Sequence, residues 1–192
     1  SDGVGCRPEV LPDYRRQRGI YNPTDHSEAI TIVGLGNIGS HAALALARMG
    51  IARLTLYDHD RVEAHNLSSQ AYYGEDVGEH KAKALSRELV RVNPDISLDI
   101  HTVRYKAGRA HDGIVVVAVD SIGARREIAD ALGDCYVVDG RMGGGQVEVW
   151  SGERSEWART LDGLVDSDDP CSARYISYTS YIIAGLIANN VK

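Results

Sequence analysis

The sequence contains no phenylalanine, only three cysteines and fewer basic than acidic residues. The charge balance and the cysteines each argue against certain classes of protein. Lys and Arg number 21 against 27 Asp and Glu, so the formal net charge is −6. This balance argues against a general nucleic-acid binder, because phosphate contacts need clustered Lys and Arg. Cys6, Cys135 and Cys171 are far apart and form no C-x-x-C pair, which disfavours a disulfide framework and a structural zinc site. We therefore expect a reduced, cytoplasmic setting.

Long apolar runs are missing as well. No stretch approaches the roughly 18–20 apolar residues that a membrane span needs, and the first ten residues lack the apolar region of a signal peptide. A length of 192 residues with 43% hydrophobic residues is typical of one globular domain. Residues 1–28 are polar and interrupted by prolines, so they are predicted to form an N-terminal arm with a short helix around Tyr14–Arg18. Residues 29–192 are predicted to form the domain.

Apolar segments that are typical of strands alternate with segments that are typical of helices. Strands are predicted at 29–36, 52–60, 96–105, 113–119, 135–140 and 146–150, helices at 37–49, 75–92, 125–132 and 175–191, and a loop at 153–170. This alternation predicts an α/β, Rossmann-like, doubly wound and mostly parallel sheet with helices on both faces. Its ligand crevice is expected beyond the carboxyl ends of the strands.

A glycine loop follows the first predicted strand and opens the first predicted helix. In the run G-L-G-N-I-G, Gly34 permits a tight turn, Gly36 lets a phosphate approach the backbone and Gly39 lets helix and strand pack closely. The helix N-terminus then offers N–H groups and a positive dipole end to an anion. Asp58, 24 residues after Gly34, is placed to hold ribose hydroxyls. These features predict nucleotide binding and fit a nicotinamide-dependent oxidoreductase as well as other enzymes.

The segment at 58–81 narrows the chemistry. It contains D-x-D-x-V, then N-L-x-x-Q, then D-V-G-x-x-K, in an order and spacing far more specific than the glycine loop. It resembles the ThiF/MoeB/ubiquitin-activating enzyme family. Further elements similar to that family are Y-R-R-Q at 14–17, D-S-x-x-x-R at 120–125 and Cys171 before the last predicted helix. The resemblance extends over nearly the whole chain.

Members of this family use ATP and magnesium to adenylate a C-terminal carboxylate, usually that of a ubiquitin-fold protein. A carboxylate is already a nucleophile at pH 7, so the site needs positioned cations and a metal-holding carboxylate but no general base. The resemblance implies a homodimer and, as partner, a small ubiquitin-fold or sulfur-carrier protein that ends in Gly-Gly. It implies that Asp58 holds the ribose of ATP and that the phosphates are contacted by Asn66, Gln70 and Lys81. It implies that Asp120 binds the magnesium ion with Asp60 as a helper. It also implies that Arg16 is an arginine finger from the other subunit and that Cys171 accepts an acyl group or a sulfur atom.

Simpler roles exist for the same residues. Asn66 and Asp120 could each cap a helix, Lys81 could be a solvated helix residue, Arg16 could belong to a loose basic arm, and Cys171 could be an inert buried thiol. The sequence also departs from the family pattern, because Ser69 stands where an arginine usually precedes the glutamine. Arg141 could supply the missing positive charge, or it could form a salt bridge with Asp139 or another acid.

Four functions therefore remain at the level of sequence. The favoured one is an ATP- and magnesium-dependent adenylyltransferase. Ser69 motivates a non-catalytic partner subunit of such an enzyme as an alternative. A tRNA-modifying member of the same fold is disfavoured by the acidic charge. An NAD-dependent oxidoreductase is least favoured, because it leaves Asn66, Gln70 and Lys81 unexplained.

Overall fold

The computed structural model describes residues 11–25, 29–106, 113–143, 146–165 and 177–192. Its strands are β1 (Ile30–Val33), β2 (Arg53–Tyr57), β3 (Ser97–His101), β4 (Ile114–Val117), β5 (Tyr136–Gly143) and β6 (Gln146–Glu153). Its helices are α1 (Asn37–Met49), α2 (Lys81–Val92), α3 (Ile122–Ala131), α4 (Arg154–Arg159) and α5 (Ser177–Val191), with short 3-10 helices at Pro23–Asp25, Ala64–Ser68 and Gly74–Asp76. The sheet order is β3-β2-β1-β4-β5-β6. Neighbouring strands are parallel except the antiparallel pair β5–β6, which confirms the predicted α/β class.

Helices cover both faces of the sheet. On one face α1, α2 and α5 pack in a core that contains Leu46, Leu85 and Ile187. On the other face α3 and α4 contribute Ile128 and Trp157 to a second core. Successive residues of β1 and β4 point to opposite faces, so each strand feeds both cores and is buried along nearly its whole length. This explains why β4 is a continuous apolar run in the sequence and why β1 is apolar except for the buried Thr31.

The turn between β1 and α1 requires glycine at two places for two different reasons. Gly34 has φ of +89°, a left-handed conformation that other residues rarely adopt. A Cβ on Gly39 would lie 1.9 Å from the carbonyl oxygen of Gly34, so only glycine lets the helix sit this close to the strand. The close packing predicted for Gly39 is therefore present. A Cβ on Gly36 would meet no atom within 4 Å, so this position faces open space.

The helix predicted for 75–92 is too long at its start. Residues Gly74–Asp76 form a separate 3-10 helix, and α2 begins only at Lys81. The Asp76 carboxylate accepts a hydrogen bond from the backbone N–H of Tyr73, and Gly78 has φ of +92°, which ends any helical path between the two elements. The amphipathic spacing of Leu85 and Leu89 does lie within α2, where both are fully buried.

Two further predictions of secondary structure were wrong. Residues 15–20 of the arm form turns and no regular helix, because Gln17 and Ile20 donate only isolated backbone bonds to Tyr14 and Gln17. The predicted loop at 153–170 contains α4, a helix of six residues that is too short to show a period in the sequence. Its tertiary anchor is Trp157, which is fully buried.

Replacing Gly39 with alanine is expected to lower the free energy of unfolding by about 3 kcal/mol, near the upper end of overpacking costs, because the new methyl group meets fixed backbone. The midpoint of urea unfolding measures this. Gly133→Ala is the matched control, since Gly133 is exposed with nothing within 4 Å of its added Cβ, and its effect should stay within about 0.5 kcal/mol. Equal midpoints for the two variants would contradict the expectation.

Candidate functional site

A cleft of about 1250 Å³ opens beyond the carboxyl ends of β1, β2, β4 and β5. In the sheet, the strands that follow β1 are added on one side as β2 and β3 and on the other side as β4 and β5, so the strand order reverses between β1 and β4. The cleft lies at this switch point, where open α/β sheets bind ligands. Its lining includes most of the residues singled out from the sequence, namely Gly34, Gly36, Asp58, Asp60, Asn66, Gln70, Lys81, Asp120 and Arg141. One fold therefore brings together side chains that are as much as 107 residues apart (from position 34 to position 141).

Asp58 ties the glycine loop to the end of β2. One carboxylate oxygen accepts the backbone N–H of Leu35 at 2.7 Å, and the other accepts the backbone N–H of Asp60 at 2.8 Å. The residue is only 8% exposed. Each carboxylate oxygen can accept a second hydrogen bond, so the arrangement is compatible with ribose hydroxyls as additional donors.

The N-terminus of α1 fits a phosphate group. Its cap residue, Gly36, provides no side-chain cap, and the space next to its Cα is open. The side-chain amide nitrogen of Asn37, the first residue of α1, is buried without a hydrogen-bond partner among the described residues and can donate to an anion. The side-chain amide oxygen of Gln70 is also buried without a partner there, but it is an acceptor and calls for a donor. Unpaired buried polar atoms are costly and point to a missing partner. Free backbone N–H groups and the helix dipole at this end favour an anion.

Lys81 is a buried cation at the edge of the cleft. It is the first residue of α2 and 7% exposed, and its ammonium group lies 3.1 Å from a carboxylate oxygen of Asp60. Lysine is almost never buried unless it is paired. The solvated role considered for Lys81 is therefore not what the structure contains. Asp60 is half exposed, so it can also face a ligand in the cleft.

Asn66 lines the cleft, and Ser69 lies three residues further along the chain, outside the cleft lining. The Asn66 side-chain oxygen accepts the backbone N–H of Glu63, which is a local capping role and leaves the amide NH₂ as the group that could contact a phosphate. The Ser69 carbonyl oxygen lies 2.9 Å from Nε2 of His41; a carbonyl only accepts, so Nε2 is the protonated nitrogen. Burial lowers the pKa of His41, which favours this neutral tautomer. The Ser69 hydroxyl is buried without a partner among the described residues.

Asp120 is exposed and free of a capping role. The residue that caps α3 is Ser121, whose hydroxyl accepts the backbone N–H of Ala124 at 3.1 Å. Among the described residues, the group that could jointly hold a metal ion comprises Asp58, His59 and Asp60, whose ligand atoms lie within 4.8 Å of one another, and Asp120 is not part of it. His59 is exposed and was not among the residues singled out from the sequence. The D-H-D run was the available signal.

A buried carboxylate organises the β5 side of the cleft. Asp139 is fully buried and accepts hydrogen bonds from Nε of Arg125 at 3.0 Å, Nε of Arg141 at 2.7 Å and Nε1 of Trp157 at 2.9 Å. Arg141 also donates to the Thr160 hydroxyl at 3.0 Å. The salt bridge considered for Arg141 is therefore present, and the same side chain lines the cleft. Trp157 was missed because it lies in the segment predicted as a loop.

Aromatic rings line the cleft near β2. The rings of Tyr57 and His101 stack with centroids 4.2 Å apart, and the ring of Tyr105 meets Tyr57 edge-on at 5.1 Å. Burial raises the pKa of Tyr105 to about 12, so its phenol stays neutral at pH 7. Tyr57 and Tyr105 both line the cleft, but Tyr57 is only 4% exposed, so Tyr105 is the ring with more surface to present to a ligand. Sequence reasoning missed them, although Tyr57 directly precedes Asp58.

The N-terminal arm lies at the opposite end of α1 from the cleft. The side chain of Gln17 donates to the carbonyl oxygen of Met49 at 2.6 Å, and Tyr14 and Pro23 pack so closely on Gly50 that a Cβ there would be under 3 Å from both. Arg16 is exposed. Since α1 has 13 residues, its two ends are about 20 Å apart, and Arg16 lies outside the cleft of its own chain. Cys171 falls outside the described residues, and Gly39 is not among the residues that line the cleft.

A sequence model of the ThiF family matches residues 25–191. The chain belongs to the ThiF family. Among its relatives, ubiquitin-like modifier-activating enzyme 5 of Caenorhabditis elegans is 30% identical over 59% of this chain and 31% of its own length. The protein of the same name from Oryza sativa subsp. japonica is 38% identical over 50% of this chain and 21% of its own length. This ThiF-family chain thus spans about a third or less of these relatives.

Solved structures agree with the ThiF-family fold. Escherichia coli MccB, crystallised with AMPCPP and MccA, superposes with a TM-score of 0.66 at 21% identity, over 86% of this chain and 55% of that one. The E. coli tRNA N6-threonylcarbamoyladenosine dehydratase, TcdA, gives a TM-score of 0.53 at 26% identity, over 64% and 53%. Among the described residues of this ThiF-family chain, none of the helices is long and apolar enough to cross a lipid bilayer.

Replacing Asp139 with alanine is expected to destabilise the protein by about 3–5 kcal/mol, because it leaves the buried guanidinium of Arg125 without its counter-ion. Chemical unfolding measures the loss. Asp13→Ala is the control, since Asp13 pairs with Arg15 at the surface and such pairs contribute at most about 1 kcal/mol. If the Asp139→Ala variant were as stable as the control, the buried ion pair would contribute little to the free energy of unfolding.

Proposed function

We propose that this chain is an ATP- and magnesium-dependent adenylylation domain that activates the C-terminal carboxylate of a small ubiquitin-like or sulfur-carrier protein, or of a peptide. The observation that carries the proposal is the composition of the cleft. A helix N-terminus with open space at Gly36, the buried cation of Lys81 and the exposed carboxylate of Asp120 all line it. This set matches what adenylyl transfer requires, namely positioned cations and a metal-holding acid.

The relatives support this choice of reaction. The name of the enzyme-5 relatives describes activation of a ubiquitin-like modifier, and MccB was crystallised with the nucleotide analogue AMPCPP together with MccA. We extend to this chain the use of ATP and an acceptor that offers a carboxylate. A carrier tail ending in Gly-Gly is our specific expectation, as the family resemblance implies.

The residues of the chain divide the work of the proposed reaction. ATP supplies an electrophilic α-phosphorus and a pyrophosphate leaving group, and the attacking carboxylate needs no base. Lys81 would offset phosphate charge, and the side-chain NH₂ groups of Asn66 and Gln70 would donate hydrogen bonds to phosphate oxygens. Asp120, helped by Asp60, would hold the magnesium ion. Asp58 would orient the ribose while it keeps the glycine loop in place.

The pair formed by Lys81 and Asp60 suits this division. The ammonium group is held at 3.1 Å from Asp60, on a side chain that is 9% exposed, so it is fixed in position before a ligand arrives. Asp60 is 51% exposed and has room to face a cation. Preorganised charges contribute most to catalysis because they need no rearrangement during the reaction.

Ser69 favours one alternative, a non-catalytic partner subunit. Its hydroxyl cannot replace a phosphate-gripping guanidinium. We propose that Arg141 compensates. Arg125 and Arg141 both line the cleft and both pair with Asp139, but the Arg141 side chain is the more exposed of the two, at 17% against 5%. A tRNA substrate, as in the name of TcdA, is less well supported here because the net charge is −6.

The Asp120→Ala variant is expected to lose ATP–pyrophosphate exchange by about 100-fold or more, because the phosphates lose a metal-holding carboxylate. Ser121→Ala, at the adjacent position, removes the helix cap and should cost about 1 kcal/mol of stability while exchange is retained. Exchange with the carrier or a Gly-Gly peptide and thermal unfolding of each variant provide the two readouts. Near wild-type exchange by Asp120→Ala would contradict its role in the site.

Thermal shift with nucleotides separates the classes of function without a carrier. ATP with magnesium should raise the melting temperature of the wild-type chain, because a ligand that binds only the native state stabilises it. Stabilisation by NAD and not by ATP would instead support an oxidoreductase. Stabilisation by ATP without any exchange would support the non-catalytic subunit.

We further propose that Arg16 acts in trans within a homodimer, consistent with its position outside the cleft of its own chain. Mixing an Arg16→Ala chain with an Asp120→Ala chain tests this, because a mixed dimer would contain one site with both lesions and one with neither. Random pairing should restore about a quarter of wild-type exchange, since half of the dimers are mixed and each has one intact site. No restoration on mixing would indicate an arginine that acts within its own chain, and wild-type exchange by the Arg16→Ala chain alone would indicate that Arg16 has no role.

A further inference from the structure

The cleft contains a buried hydrogen-bond acceptor that the proposed nucleotide does not satisfy. The side chain of Gln70 lines the cleft, and its oxygen Oε1 is buried without a hydrogen-bond partner among the described residues. A buried acceptor without a donor costs free energy and calls for a donor in a bound molecule. The side-chain NH₂ group of the same residue is the part that we assign to a phosphate, so Oε1 is available for a different contact.

Gln70 is tethered to the start of α1 by its two neighbours in the chain. The backbone N–H of Ala71 donates to the Ser40 hydroxyl at 3.1 Å, and the carbonyl oxygen of Ser69 accepts from Nε2 of His41 at 2.9 Å. Ser40 and His41 are the fourth and fifth residues of α1. Gln70 is therefore held beside the N-terminal end of α1, where we place the phosphates.

The nucleotide offers no donor at this end of the cleft. At pH 7 the triphosphate of ATP bound to magnesium presents only acceptor oxygens. The ribose hydroxyls are expected at Asp58, and the amino group of the base lies beyond the ribose, on the side away from the phosphates. The donor for Gln70 therefore has to come from the second substrate or from a water molecule.

A peptide substrate brings an N–H group to this end of the cleft. The attacking carboxylate has to lie about 3–3.5 Å from the α-phosphorus when it reacts. In a peptide, one carbon atom separates the N–H group of the last residue from the carboxyl carbon, so this N–H group enters the cleft with the carboxylate. A fatty acid or another simple carboxylate has no such group. A peptide C-terminus can thus supply the donor that Gln70 lacks.

We propose that Oε1 of Gln70 accepts a hydrogen bond from the N–H group of the last peptide bond of the acceptor, so that the site selects a peptide C-terminus over other carboxylates. Gln70 is then a specificity-determining residue that contacts both substrates, with its NH₂ group on a phosphate and its oxygen on the tail. The inference rests on the proposed function for the identity of the two substrates. It is measured by binding, without any reaction.

A peptide and its ester analogue test the contact. The probes are acetyl-Ala-Gly-Gly and the analogue in which an ester oxygen replaces the last peptide N–H group. Calorimetric titration measures both on the full chain, alone and loaded with magnesium and AMPCPP, whose methylene bridge prevents adenylyl transfer. The wild type should bind the peptide at least about tenfold more tightly, because the ester leaves Oε1 unpaired. Equal affinity for the two probes, or binding of neither, would overturn the proposal and assign Oε1 to a water molecule.

Three variants, each checked for folding by thermal unfolding, assign the preference to Oε1. Gln70→Met removes both polar atoms at similar size and should bind the two probes within about twofold of each other. Gln70→Glu keeps an acceptor and loses the NH₂ group, so the preference for the peptide should remain. Gln146→Met is the matched control, since Gln146 is exposed in the same cleft, and it should keep the full preference. A preference that survives in Gln70→Met would overturn the proposal.

ATP–pyrophosphate exchange with the same two probes separates this contact from the proposed function. Absence of exchange, with tighter binding of the peptide than of the ester, would support the contact and count against adenylyl transfer. Exchange at equal kcat/KM with the peptide and the ester would overturn the contact and leave the proposed function standing.

Discussion

Two hydrogen bonds to the Asp58 carboxylate set the geometry on which the rest of the cleft depends. One holds the backbone of Leu35 in the glycine loop, and the other holds the backbone of Asp60 beyond β2. The first fixes the start of α1 relative to the sheet. The second places the Asp60 side chain, which in turn holds Lys81 at the start of α2. A single buried carboxylate thus relates two strands and two helices, and the open space at Gly36 and the cation of Lys81 have a defined separation because of it.

The sequence predicted the parts of the molecule that depend on local pattern. The apolar runs of β1 and β4 and the glycine spacing at 34–39 are read directly from neighbouring residues, and the structure confirms the sheet and the turn they imply. The resemblance to the ThiF family added the positions that meet in the cleft. Both sources succeed for the same reason, which is that each motif is short and contiguous.

The features that were missed depend on contacts between distant segments. Helix α4 exists because Trp157 reaches Asp139, 18 residues away, and nothing near Trp157 in the sequence announces that contact. Asn66 is a residue for which the sequence left two roles open. In the structure its side-chain oxygen accepts a capping hydrogen bond, whereas the family pattern implies a phosphate contact. One side chain can serve both roles, because the capping bond uses the oxygen and the phosphate contact would use the NH₂ group. The start of α2 was misplaced because Gly78 interrupts a segment whose composition otherwise favours helix.

The Asp139 cluster links the local stability of one element to the electrostatics of the cleft. Its carboxylate is shared by Arg141, which lines the cleft, and by Trp157, which anchors α4. When α4 opens transiently, the hydrogen bond from Trp157 to Asp139 breaks. The hydrogen bond from Arg141 to the hydroxyl of Thr160, which directly follows α4, breaks with it. Hydrogen exchange of the α4 amides would therefore report on the fraction of molecules in which that guanidinium is free to reorient. The stability of the six-residue helix α4 thereby affects how firmly the guanidinium of Arg141 is held at the cleft.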